Sequence, residues 1–323
     1  MNAPPLKLSS VEMHPAMEAS YAHEMRPGDA YAPLGIAISP ALNEQFLFAL
    51  QDFREECLSA PGRDRALVHP ALLLHVSART RSPSFRLPAG IGSVFAQDAV
   101  SFLAPAYVGE RLQVNWIIRA VYERRGRMYQ ALETAVANES GRPILRREAH
   151  SLFFARDGVA LPLPAGATRM NADAGLGPET AGGETVPGHA FTMSLARILA
   201  FSGGPFDEPG WPQRNIHTCV DDAREAGLGN IIASGTQSQG LLLGLLIDTF
   251  GPHWHTSGEL FLRFRKPVQI DDRVQPMLSR AGSEPVAGGV RQTVVAWCEN
   301  RSGERVIDGS AACVLPGDGA PRR

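Results

Sequence analysis

From residue 111 onward the chain alternates apolar and polar positions in long runs. "RLQVNWIIRAVYE" gives way to a break at "RRGR"; "MYQALETAVANE" follows, then a turn at "SGRP" and a third run, "ILRREAHSLFF". A period of two bounded by glycine-containing turns predicts antiparallel strands. The succession returns as "ELFLRFRKPV", "RVQPMLSRAG", "RQTVVAWCEN", a turn at "RSGE" and "RVIDGSAACVL". Ahead of this second set lies "SGTQSQGLLLGLLIDTFG". Its Leu242, Leu245, Leu246 and Phe250 keep near-helical spacing, and Gly251 suits a C-cap. One buried helix against a curled antiparallel sheet is the predicted unit.

The two sets are one pattern repeated. Phe102 corresponds to Phe264, Pro105 to Pro267, Arg111 to Arg273, Gln113 to Gln275, Asn138 to Asn300, Ser140 to Ser302 and Gly141 to Gly303, at one offset of roughly 162 residues. A register held that long predicts an α+β chain made of two copies of one fold in tandem. The copies are expected at residues 29–156 and 188–316. Residues 1–28 mix Pro, Met, His and Glu without a sustained period and read as a loosely ordered arm. Residues 157–187, dominated by Gly, Ala, Pro and Thr, read as a linker, and 317–323 as a tail.

Composition narrows the function classes. The 31 basic and 33 acidic residues leave a formal net charge of -2, so no positive field favours a phosphate backbone and nucleic acid is not an expected partner. The longest apolar stretch, "LLLGLLI" at 241–247, is far short of the roughly 20 residues that cross a bilayer. Cys57, Cys219, Cys298 and Cys313 lack paired metal-ligand spacing, and no signal-peptide pattern precedes them. Free thiols in a reducing cytoplasm are the expectation.

The duplicated helix-and-sheet unit, with "AFSGG", "NIHT", "ASGTQ" and "RFRKPV" in its second copy, resembles the double hotdog fold of the MaoC-like and R-specific enoyl-CoA hydratases. The likeness spans about residues 30–156 and 188–316. "HPALLLHVSA" and "FLAPAYVGERL" look like the N-terminal copy, which the resemblance implies accommodates the acyl group without carrying the catalytic motif. The family pattern places an aspartate directly after Ser-Gly and a histidine five residues beyond it. Here Ser202 and Gly203 match, Gly204 stands in the aspartate position, and the inserted "PFDEPGWPQR" precedes "NIH".

The resemblance makes His217 the candidate acid or base for adding water across C2–C3 of an acyl thioester, because an imidazole titrates near neutral pH. Asp207 and Glu208, inside the inserted loop, are candidates to replace the missing acid; as a bland alternative they are solvated loop carboxylates. Gly235 falls where a helix N-terminus would stabilise the thioester oxygen as charge develops on it, or it is simply a helix-entry glycine behind an N-capping Ser234. Asn215 contacts substrate or shapes the loop by Asx bonding. Trp211 forms a lid or acyl wall, or staples the loop to the core. Arg263 and Arg265 meet coenzyme A phosphates or pantetheine, or line a solvated strand edge. His69 and His75 read as packing or capping residues.

The expected activity is therefore hydration or dehydration of an acyl thioester carried on coenzyme A or a carrier protein, with an atypical acyl group and no metal or redox cofactor. Two alternatives stand beside it: a hotdog thioesterase, or a non-catalytic acyl-binding or assembly subunit. Because hotdog units pair through their sheets, and one such pair lies within the chain, monomer and homodimer both remain open.

Overall fold

Along residues 111–118 the buried side chains are Leu112, Val114, Trp116, Ile117 and Ile118, while Arg111 and Gln113 are exposed. The alternation thus builds a strand with one face on the core. The structure, a computed structural model, describes residues 19–60, 65–155, 158, 160–169 and 183–317. The first half contains strand β1 (Ala30–Ala37), helices α1 (Pro40–Leu50) and α2 (Pro70–Val76), then β2 (Ile91–Phe102), β3 (Arg111–Arg124), β4 (Arg127–Asn138) and β5 (Pro143–Ala155). The second half contains α3 (Leu195–Ser202), α4 (Val220–Glu225), α5 (Gly235–Phe250) and α6 (Trp254–Ser257), then β6 (Glu259–Phe264), β7 (Arg273–Val286), β8 (Gly289–Asn300) and β9 (Arg305–Leu315).

The main path through the sheet is β7-β8-β9-β6-β2-β5-β4-β3-β1, and the short strand Phe191–Thr192 borders β7 as its counterpart borders β3. The two halves have the same internal order and meet where β2 and β6 run antiparallel, with Leu260 opposite Val100 and Leu262 opposite Asp98. The repeat is exact in strand position: β3 and β7, β4 and β8, and β5 and β9 each begin 162 residues apart. The chain is a double hotdog.

Three segments differ in detail from the sequence reading. Residues 1–18 of the expected arm lie outside the described residues, but 19–28 pack against the first half, with Ala22 and Met25 buried and Ser20–Tyr21 paired to Phe85–Arg86. Of the expected linker, 170–182 lie outside the described residues. Thr168–Arg169 pairs with β3, and Thr185–Pro187 with β7. Residues 318–323 of the expected tail also lie outside the described residues.

The central helices are unequal. α5 runs for 16 residues, and Gly240 within it lets α1 and α2 approach: a Cβ there would stand 2.7 Å from Leu50 Cδ2 and 3.0 Å from Ala71 Cβ. α2 stops after 7 residues. At its start the His69 Nδ1 accepts from the Ala71 N–H, while Nε2 lies 3.0 Å from Asp52. At its end Arg147 donates to the carbonyl of Leu74 and the hydroxyl of Ser77, and the Trp116 indole donates to the Ser77 carbonyl. These bonds satisfy the carbonyls that continued helix would have used. A single turn of 3-10 helix, Arg79–Arg81, follows.

The two halves are also joined by a buried polar cluster. Arg147 Nε donates to Asp98 Oδ1 at 2.8 Å, and Gln239 of α5 donates to Asp98 Oδ2 at 2.5 Å. Both charged side chains are almost wholly removed from solvent. Such a pair is tolerated because each charge has its opposite and further hydrogen bonds in place.

Candidate active site

α3 ends at Ser202, and the chain then makes a nine-residue excursion, 204–212, before Gln213 donates its backbone N–H to the Gly203 carbonyl at 2.8 Å. Gln45 of α1, in the other half of the molecule, fastens the base of this loop. Its side-chain amide donates to the carbonyls of Ala200 and Gly204 and accepts from the Phe206 N–H. Gly204 has φ +81°, and a Cβ there would lie 2.7 Å from Gln213 Cδ. An aspartate in that position would be both strained and crowded, which explains glycine there.

Beyond the excursion, Asn215 shapes the turn that carries His217. Its Nδ2 donates to the Ser202 carbonyl at 2.9 Å, and its Oδ1 accepts from the His217 N–H at 2.8 Å. These bonds are the Asx role set out above. The His217 Nδ1 lies 2.8 Å from the carbonyl oxygen of Ile232. A carbonyl only accepts, so Nδ1 carries the proton and Nε2 presents its lone pair. Burial lowers the pKa of this imidazole from its ordinary 6.5, opposed by the bond to Ile232.

Ile232 leads directly into α5, whose first residue is Gly235. No side chain caps this helix: the Ser234 hydroxyl is 2.8 Å from the Thr236 hydroxyl instead of bonding the helix N–H groups. Unsatisfied N–H groups and the helix dipole together favour negative charge at this end. The space a side chain at Gly235 would occupy is filled by aromatic rings, Phe264 Cε1 at 2.8 Å and Phe95 Cδ2 at 3.1 Å. The glycine therefore serves ring packing around the helix start.

His75, at the last turn of α2, comes into this site from the first half. Its ring meets Phe46 and Phe201 edge-on, with centroids at 5.0 and 5.2 Å. It makes no hydrogen bond to the described residues. Burial holds its pKa well below 6.5, and the neighbouring charges of Arg81, His217 and Arg147 act in the same direction. Arg147 in turn lies over the Phe95 ring at 5.0 Å, and that ring packs against the start of α5 at Gly235. The contacts of His75 are the packing read for it in the sequence, made here with rings from both halves.

The other sequence candidates fall elsewhere. Asp207 is exposed and makes no hydrogen bond or ion pair with the described residues. Glu208 is exposed too; it accepts from Gln213 Nε2 at 3.0 Å, and its charge acts on Arg81. Neither carboxylate bears on His217. Trp211 packs at 82° against Phe206 with its centroid 4.9 Å away, a contact between two residues of the inserted loop itself. Arg263 and Arg265 both donate to Asp308, at 3.1 and 3.0 Å. Strand alternation puts them on the sheet face opposite Phe264, whose ring reaches Gly235. That outer face also holds a hollow of about 430 Å³, lined by Ser101, Arg146, Glu148, Glu259 and Arg291 among others, none of which reaches His217. Among the described residues no group of three His, Cys, Asp or Glu side chains could hold a metal ion, and no helix is long and apolar enough to cross a membrane.

Residues 213–299 match the family model of the MaoC like domain. The second half of the chain contains a MaoC-like domain. The match begins at Gln213, where the excursion returns to α3, and includes His217, Gly235 and α5. Solved structures carry the likeness of fold across both halves. A protein from Chloroflexus aurantiacus described as a MaoC domain dehydratase is 14% identical with a TM-score of 0.68, covering 93% of this chain and 98% of the other. A Mycobacterium tuberculosis protein with a double hotdog fold is 16% identical, TM-score 0.62, covering 92% and 98%. A Lactobacillus plantarum protein described as an oleoyl thioesterase is 11% identical, TM-score 0.50, covering 88% and 95%. No curated protein matches the sequence.

Proposed function

We propose that the chain is a hydratase or dehydratase that adds water to, or removes it from, C2–C3 of an acyl thioester. The observation that carries this reading is the fixed His217 imidazole, its Nε2 free, beside the uncapped start of α5. In the hydration direction, water oxygen forms a bond to C3 while His217 Nε2 takes one of its protons. The C2=C3 electron pair moves toward the thioester carbonyl, whose oxygen gains negative charge met by the N–H groups of α5. His217 then returns the proton to C2, which balances the reaction with a single base. In this reading His75 holds the water from the other side. Asp207 has no part in these steps.

Product analysis tests the reading. Purified protein is incubated with a panel of short, branched, aryl and carboxylate-bearing enoyl-CoA thioesters. Loss of conjugated-thioester absorbance and formation of a 3-hydroxyacyl thioester are the expected results. Release of free coenzyme A thiol without hydroxyacyl product would make the chain a thioesterase. Thioester binding without either product would leave it an acyl-binding subunit.

A further inference from the structure

The turn Arg79–Arg81 stands where the first half gives up its central helix, and it carries guanidinium groups where α5 carries leucines. Arg81 is half-buried. Its Nε is shut off from solvent without a hydrogen-bond partner, and its side chain makes no ion pair or hydrogen bond with the described residues. Other arginines nearby are engaged: Arg147 is held by Asp98 and Arg54 by Asp52, while Arg79 donates to the side chains of Gln130 and Ser93.

Arg81 is also placed toward the reaction space. Its charge is the foremost one acting on His75, whose ring packs on Phe201 beside Ser202 and the His217 turn. The acid whose charge acts on it is Glu208 of the loop, exposed and engaged by Gln213. With its Nε closed off and no opposite charge in contact, the guanidinium is left under-partnered, and its planar fork of N–H donors fits a carboxylate with two parallel bonds. We propose that the acyl group taken by this site carries a carboxylate, and that Arg81 binds it. Glu208 is then the counter-charge of the empty site, displaced when the substrate's own carboxylate arrives. This rests on the acyl-thioester reading above and names its substrate class.

Binding of unreactive thioesters tests it without requiring turnover. Succinyl-, glutaryl- and adipyl-CoA are titrated calorimetrically into the full chain, each beside the straight-chain acyl-CoA of the same carbon count, with wild type, Arg81→Met and Arg81→Lys. The expected result is at least a tenfold preference for one dicarboxylic thioester, lost in Arg81→Met and partly kept in Arg81→Lys. Straight-chain binding should stay unchanged, which also shows that the variants fold. Arg81→Met should raise the melting temperature of the empty protein. Equal wild-type binding of each acid and its straight-chain counterpart would overturn the inference while leaving the thioester reading intact. Equal weakening of both by Arg81→Met would assign Arg81 to the coenzyme A phosphates and overturn it as well. Binding of none of the thioesters would overturn the thioester reading itself, and this inference with it.

Discussion

The His217 Nδ1 and the Ile232 carbonyl oxygen, 2.8 Å apart, bind the turn after the inserted loop to the segment leading into α5. Base and helix start are thereby held in one frame, and the imidazole works in its neutral form. Because burial lowers its pKa, the acid limb of kcat/KM is expected below the ordinary 6.5 of histidine, with a plateau through neutrality. A pH–rate profile with the limb above 6.5 would contradict this.

Three histidines make stability fall on acidification. His75 and His217 are lowered, and His255 is pushed to about 4, by burial first and then by the charges of His69 and Arg54. Each is neutral in the folded chain at a pH where the unfolded chain binds a proton, so their contribution is complete above about 6.5 and is lost as pH falls toward 4. His255 alone removes on the order of 3 kcal/mol over that window, at about 1.4 kcal/mol per pKa unit. Denaturant midpoints from pH 7.5 to 4.5 check the slope, and His255→Phe should flatten it.

Asp98→Ala should destabilise by about 3–5 kcal/mol, because the buried Arg147 is left without its carboxylate. Asp98→Leu combined with Arg147→Met should recover most of that stability. Activity should not return with it, since the bonds from Arg147 to Leu74 and Ser77 that hold the end of α2, and so His75, would be gone. Urea melts and turnover measured on the same preparations separate the two effects.

Gly235→Ala places a methyl 2.8 Å from Phe264 Cε1 and should cost about 1–3 kcal/mol. Phe264→Leu opens that space, so the double variant should be more stable than the sum of the two single changes predicts. Additive losses would show that the rings are not what excludes a side chain at Gly235.

Asp207→Asn should leave kcat/KM within about twofold, since surface changes away from a site rarely matter. Gln45→Leu, by contrast, removes the amide that holds the carbonyls of Ala200 and Gly204. It should lower activity through the loop and the His217 turn, and make the 204–212 segment more readily cleaved by protease. Unchanged cleavage would contradict that role.

The sheet was legible because alternation with a period of two survives in each strand, and the offset of the two copies repeats down to the first residues of β3 and β7. The long helix was legible from its leucine spacing. His217 stood out only through the motif around it, and the geometry of its Nδ1 was beyond local sequence, since Ile232 is fifteen residues away. The inserted loop was least legible: its acids could be read as replacements for the missing aspartate or as solvated carboxylates, and both are exposed in the structure. Their chain positions say nothing of a loop that leaves α3 at Gly203 and returns there at Gln213. His75 belongs to a contact between the halves, against Phe201, which no periodicity within one half encodes. The trace left by Arg81 is the run "RTR" at 79–81, whose counterpart at 241–243 is "LLL".

The central claim, that the His217 imidazole moves the proton, is tested most directly by single-turnover hydration of a productive enoyl-CoA with wild type and His217→Gln, alongside the dissociation constant of the matching saturated thioester. The account predicts a rate lower by roughly 10²–10⁴ with thioester binding unchanged. A variant that hydrates within a few-fold of wild type would place the base elsewhere.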